Sequence, residues 1–169
     1  MIKEKSCGAV VYKIINNQIF FLIEKMQRGH YALTKGHVEN NETEVETATR
    51  EIKEETNLDV IIDTNFREVI SYSPYEGCIK DVVYFIAKAI SDDVKNQECE
   101  VNSIYFFKFD KAYKILTHQG DKDVLKINDE IKVIVTELDE KGRVNVSAKD
   151  LLPRPEKVEK KESKKEESK

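Results

Sequence analysis

The sequence predicts an α/β fold, a mixed sheet with helices on its faces. Two observations carry this expectation. Short runs rich in β-branched and aromatic residues recur along the first two thirds of the chain, separated by turn residues. Between them lies one long stretch, residues 41–56, whose apolar residues return at helical rather than strand spacing.

The elements follow in order. Residues 6–14 (SCGAVVYKI) and 18–24 (QIFFLIE) read as paired strands, with Asn16-Asn17 as the hairpin turn. Residues 26–31 form a loop and 32–34 a short strand. For the helix over 41–56, Asn41 is a good N-cap, and Glu44 three residues later completes a capping-box pattern. Val45, Ala48 and Ile52 give its apolar stripe, and Asn57 suits the left-handed residue that closes a helix. Strands are expected over 58–62, 66–73 and 81–89, with residues 74–77 as the turn between the last two. Another strand covers 104–109 and a short helix 111–116. A second short helix starts at 121–126 and is cut short by Asn128-Asp129.

Beyond that point the pattern changes. Residues 131–138 and 143–147 alternate like two strands of a β-hairpin around a turn at 139–142. From Pro153 onward the chain is Lys, Glu and Ser with almost nothing apolar, a composition too polar to pack a core. Three parts are therefore expected: a domain over 1–127, a hairpin fragment over 128–152 and a charged disordered tail over 153–169.

Composition narrows the function. The chain has 169 residues, 40% of them hydrophobic, enough for one core plus an appendage. A net charge of -4 argues against a general binder of nucleic acid or anionic membrane. No apolar run approaches a membrane span, and MIKEKSCGAV is no signal peptide. Cys7, Cys78 and Cys99 are odd in number and scattered, which fits a reducing cytoplasm and suggests neither a disulfide framework nor a zinc site.

Chemistry concentrates on the long helix. Glu51, Glu54 and Glu55 stand at i, i+3 and i+4, so they share one patch, and like charges at that spacing repel. A hard divalent cation such as Mg²⁺ turns the repulsion into binding, since it takes oxygen ligands. For a glutamate-rich helix taken alone, a solvated acidic face is the other reading. The wider spacing bears on the choice. Gly36, five residues, Glu42, seven residues, then Arg50-Glu51-Ile52-x-Glu54-Glu55-x-Asn57-Leu58 resembles the Nudix box, with eight of nine defined positions matched. The exception is Asn57 where the family has glycine, and asparagine tolerates the same backbone conformation.

The resemblance implies an α/β/α sandwich and an enzyme that uses Mg²⁺ or Mn²⁺ to cleave a diphosphate linkage on a nucleoside or similar group. Residues 6–11 (SCGAVV) and 35–39 (KGHVE), Lys80 with Tyr84, and 116–125 (LTHQGDKDVL) are similar to the bis(5'-nucleosyl)-tetraphosphatase (asymmetrical) group, the diadenosine tetraphosphate hydrolases. Tyr31 and Thr34 depart from it, since that group usually has tryptophan and proline there. By this resemblance Glu51, Glu54, Glu55, the Gly36 carbonyl and Glu100 hold the metal, with Glu98 as the alternative to Glu100. One of these glutamates takes the proton from water. Arg50 orients the box glutamates and Glu42 supports the loop. Lys35 and Lys80 are candidates for phosphate contact, and His37 for lining the site. Tyr84 either packs in the core or stacks on a base, and His118 can stack on a base. The substrate implied is a small-molecule nucleotide, diadenosine tetraphosphate giving ATP and AMP. The alternatives are another Nudix pyrophosphohydrolase, acting on a nucleoside triphosphate or an RNA 5' end, and a non-catalytic nucleic-acid-binding module. Residues 128–151 resemble the end of the OB-type RNA-binding domain of polynucleotide phosphorylase, without the earlier strands that carry RNA-facing aromatics.

Overall fold

Side chains alternate across a strand, so a sheet covered by helices on both sides must be apolar on both faces. The central strands here are. The computed structural model describes residues 1–129. Its elements run β1 (Ile2–Ile15), β2 (Gln18–Met26), β3 (Tyr31–Ala32), β4 (Thr34–His37), α1 (Glu44–Thr56), β5 (Val60–Tyr72), β6 (Cys78–Ala89), β7 (Val101–Phe107), α2 (Phe109–Ile115) and α3 (Gln119–Asp129).

The strands form one seven-stranded mixed sheet in the order β3-β2-β1-β6-β5, with β4 added beside β1 and β7 beside β2. β1 and β6 pair in parallel from Ile2↔Cys78 to Tyr12↔Lys88, and the other pairs are antiparallel. On one face Cys7, Ala9 and Val11 of β1, Leu22 of β2, and Val83, Phe85 and Ala87 of β6 pack with Ala48 and Ile52 of α1. On the other, Val10, Phe21, Ile23, Val82 and Tyr84 pack with Ala112, Leu116, Val124 and Leu125 under α2 and α3. This is the expected α/β/α sandwich. Ile52 is fully buried, so truncating it to alanine costs about 2–5 kcal/mol.

Several boundaries differ from expectation for local reasons. The hairpin turn is as expected, with Asn16 and Asn17 both left-handed at φ 49° and 61°, as a two-residue turn matching strand twist requires. The strand expected at 32–34 is two: Tyr31–Ala32 pairs with β2, and Thr34–His37 crosses over to β1. Helix α1 starts later than expected. Its N-cap is Thr43, whose hydroxyl accepts from the Glu46 amide while the Glu46 carboxylate accepts from the Thr43 amide. The Asn41/Glu44 box does not form, because Glu44 is engaged by Lys5 and Arg67. The two strands expected over 58–73 are one, whose pairing with β6 shifts register between Asp63 and Glu68. Helix α3 runs to Asp129, so Asn128-Asp129 do not cut it short. The hairpin over 131–147 and the charged tail lie outside the described residues.

Candidate functional site

The site lies where β2, β4 and the start of β7 meet helix α1. Asn57 closes α1 in the left-handed conformation, φ 63°, and its side-chain amide donates to the Asp93 carbonyl at 2.8 Å. A glycine would supply the backbone but not that tether. On β4, Gly36 lies directly under the helix. A β-carbon there would stand 1.9 Å from Cδ of Glu51, so only glycine leaves room for that carboxylate.

Arg50 organises the acidic residues. Its Nε and Nη2 donate to the two carboxylate oxygens of Glu42 at 2.6 and 3.0 Å. Nη1 donates to Glu51 at 2.8 Å and Glu54 at 3.2 Å, and Nη2 also to the His37 carbonyl at 2.9 Å. Such forked, charge-assisted bonds fix geometry as well as charge. Glu42 is held well below the usual carboxylate range, to about 2, chiefly by its bonds to Arg50. It accepts as well from the Thr47 hydroxyl and the Glu39 amide, which ties the loop to the helix.

A cleft of about 310 Å³ opens beside this network. Its walls include Glu24, Glu51, Glu54, Glu55 and Glu100, together with Lys35, Gly36, His37 and Lys80. Of the two acids left open by the sequence, Glu100 lines the cleft and Glu98 does not; Glu98 offers only its carbonyl, to Gln27 at 2.7 Å. Lys80 Nζ stands 3.3 Å from His37 Nε2, and burial lowers its pKa.

Glu24 is the residue that sequence reasoning missed. It is 1% exposed, as is Glu55, and it accepts from the buried Thr34 hydroxyl at 2.9 Å. Glu24 and Glu55 share a hydrogen bond, and Oε2 of Glu55 is buried without a partner. Burial raises both carboxyls above the ordinary carboxylate range. For Glu55 the charge of Glu24 adds to the rise, and for Glu24 the Thr34 hydroxyl works against it. Glu51 is raised as well, first by burial. The one signal in the sequence was an acid closing an otherwise apolar strand run, QIFFLIE.

This donor set fits a hard divalent cation: the donors are oxygens, Glu51 and Glu55 are buried, and one Glu55 oxygen is orphaned. Among the described residues no three acidic, histidine or cysteine side chains form a ready-made metal cage. Arg50 holds Glu51 and Glu54 from the side instead.

A second cavity, about 450 Å³, lies on the opposite face of the sheet. Ile70, Tyr72, Pro74 and Val82 supply apolar walls, the exposed His118 and the buried Asp121 also line it, and Lys35 lines both cavities. Tyr84 reaches this cavity, but its ring is 1% exposed in the core, and its hydroxyl donates to Asp121 at 2.8 Å. That is the packing alternative of the two considered for it, since no face of the ring is open to a base. His118 is exposed and meets His30 edge-on at 5.8 Å.

Comparison with known proteins places the fold among proteins already described. Bis(5'-nucleosyl)-tetraphosphatase [asymmetrical] of Sus scrofa is 29% identical over 134 residues, covering 72% of this chain and 90% of that enzyme. The crystal structure of a C. elegans Ap4A hydrolase binary complex superposes with a TM-score of 0.68 at 27% identity, covering 80% of this chain and 98% of that one. A 35-residue stretch, 21% of this chain, is 69% identical to polyribonucleotide nucleotidyltransferase of Clostridioides difficile (strain 630), of which it spans only 5%. The model of the NUDIX domain matches residues 6–126, a span that includes the box helix, the residues lining both cavities and all of the sheet but the first residues of β1, and the chain belongs to the Nudix hydrolase family.

Proposed function

We propose that the protein hydrolyses dinucleoside polyphosphates, diadenosine tetraphosphate to ATP and AMP, with Mg²⁺ or Mn²⁺. One observation carries the reading: a carboxylate-lined cleft and a nucleoside-sized, largely apolar cavity share a wall at Lys35. The first suits a polyphosphate with its cations, the second a nucleoside. The similarity to the Sus scrofa tetraphosphatase and to the C. elegans Ap4A hydrolase supports it.

Glu51, Glu54, Glu55 and Glu100, with the Gly36 carbonyl, are the groups that would hold the metal. Bound there, the cation supplies charge neutralisation of phosphate oxygens and acidification of water. The chain's own residues do the rest. Arg50 keeps Glu51 and Glu54 turned toward the cleft. Lys35, at the wall between the cavities, and Lys80, beside His37, meet phosphate oxygens and fix which phosphorus faces the carboxylates. One of these glutamates accepts the proton of the attacking water, and Glu100 lines the cleft and is exposed. His118, which lines the second cavity, covers the nucleoside.

The test is product analysis. Diadenosine tetraphosphate is incubated with each metal beside a nucleoside triphosphate and 5'-triphosphorylated RNA, and products are separated by chromatography. ATP plus AMP is expected. ADP as the main product, or brisk turnover of the triphosphates alone, would replace this assignment with another Nudix specificity.

A further inference from the structure

Strand β7 is an outer strand: it pairs with β2, and among the described residues no strand joins its other edge. On it Tyr105 and Phe107 lie with ring centroids 5.1 Å apart and planes 10° from parallel. Tyr31 faces Tyr105 at 6.5 Å, tilted by 39°. Tyr31 and Phe107 pack against the core beneath α2 and α3, whereas Tyr105 belongs to neither core cluster and is 36% exposed. Lysines border the row: Lys25 Nζ lies 5.9 Å from the Tyr31 ring centre, and Lys111 Nζ 4.3 Å from that of Phe107.

The row is anchored to the catalytic cleft. His30, next to Tyr31 in the chain, lines that cleft. Tyr31 is fixed through both backbone groups, its amide donating to the Thr117 hydroxyl at 2.8 Å and its carbonyl accepting from the Thr117 amide at 3.1 Å. Core packing accounts for Tyr31 and Phe107. It does not account for Tyr105.

Resting on the function proposed above, we infer that Tyr31 and Tyr105 form the seat of the substrate's second nucleobase, the one outside the apolar cavity. With centroids 6.5 Å apart and planes tilted by 39°, the two rings are in ordinary aromatic contact and form one continuous aromatic surface. A base stacks on the exposed side of Tyr105, at the end of this aromatic surface. Lys25, on the Tyr31 side, supplies positive charge for the adjoining phosphate and a cation for the ring faces. Stacking reads a π-face, not a hydrogen-bond pattern, so the seat accepts any base.

The experiment compares two ligands that differ only in the second nucleoside: methylene-bridged, non-hydrolysable analogues of diadenosine tetraphosphate and of adenosine tetraphosphate. Dissociation constants are measured with Mg²⁺ by calorimetry for the wild type, Tyr105→Ala and Tyr105→Phe. The dinucleoside analogue is expected to bind about tenfold more tightly in the wild type. Tyr105→Ala should bring the ratio near one, and Tyr105→Phe should keep it. Equal affinities in the wild type, or an unchanged ratio in a folded Tyr105→Ala protein, overturns the inference. A protein that turns over no dinucleoside polyphosphate would instead fault the assigned reaction, and the ratio of dissociation constants would still decide the seat.

Discussion

Replacing Gly36 by alanine should damage chemistry far more than stability. The added β-carbon would lie 1.9 Å from Glu51 Cδ and 2.1 and 2.2 Å from its two oxygens. Ordinary contact begins near 3.4 Å, so something must give by about 1.5 Å, the difference between 3.4 and 1.9 Å. Strand β4 cannot withdraw, because Gly36 pairs with Cys7 in the middle of the sheet and Cys7 is fully buried. The Glu51 carboxylate must therefore swing away from Arg50 and the cleft. An off-rotamer side chain costs about 0.5–1.5 kcal/mol, a fall of a few degrees in melting temperature for a chain of this size. A displacement of about 1 Å in a positioned catalytic group costs about 10²-fold in turnover. The assay combines steady-state kinetics on diadenosine tetraphosphate, Mn²⁺ binding by electron paramagnetic resonance, and a melting curve. Wild-type turnover and Mn²⁺ affinity in the variant would refute the reasoning, since neither survives if Glu51 is a ligand and has been displaced.

Three further outcomes are expected. If Glu54 and Glu55 hold the metal as proposed, Glu54→Gln and Glu55→Gln each remove a ligand charge at nearly constant shape, and kcat at saturating Mg²⁺ should fall about 10²-fold or more; near-normal turnover in both ends the metal assignment. Glu44, away from the cleft, is held to about 2 first by its bond to Arg67 and then by Lys5. Its folded pKa is thus depressed, so its contribution to stability is present above about 4.5 and lost as pH falls toward 2; the acid-side slope of melting temperature should flatten in Glu44→Gln, and an identical slope would show that the pairing does not persist in solution. Ending the chain after Asp129 should leave turnover nearly intact, because no proposed catalytic group lies beyond His118; a folded truncation that binds metal but has lost activity would contradict this.

The box helix and the sandwich were legible because their signals are local. Val45, Ala48 and Ile52 declare a buried stripe by spacing alone, and Asn57 declares the helix end. What stayed hidden depends on distant partners. Two capping boxes were possible two residues apart, and the choice fell to Thr43/Glu46 because Lys5 and Arg67, from other strands, claim Glu44. Glu24 reads as a lone acid until the fold brings Thr34 and Glu55 beside it. Tyr84 gave no sign that its hydroxyl would be taken by Asp121, 37 residues later. The parallel pairing of β1 with β6 joins segments some seventy residues apart, and no turn signal announces such a crossover.

Strand β4 also dictates where this chain can lengthen or shorten. Its four residues pair one-to-one with Ser6–Ala9, and Gly8 and Gly36 each leave room that no side chain can fill. Alternation along a strand has a period of two, so a single inserted or deleted residue within it would exchange the faces of Lys35 and Gly36. A lysine would then stand beneath Glu51, and the cleft would hold a tethered ammonium in place of open space. Insertions in the turn at Gln27–Gly29, outside the strand, carry no such penalty. Length variation among relatives should therefore collect before Tyr31 and vanish between Thr34 and Glu42.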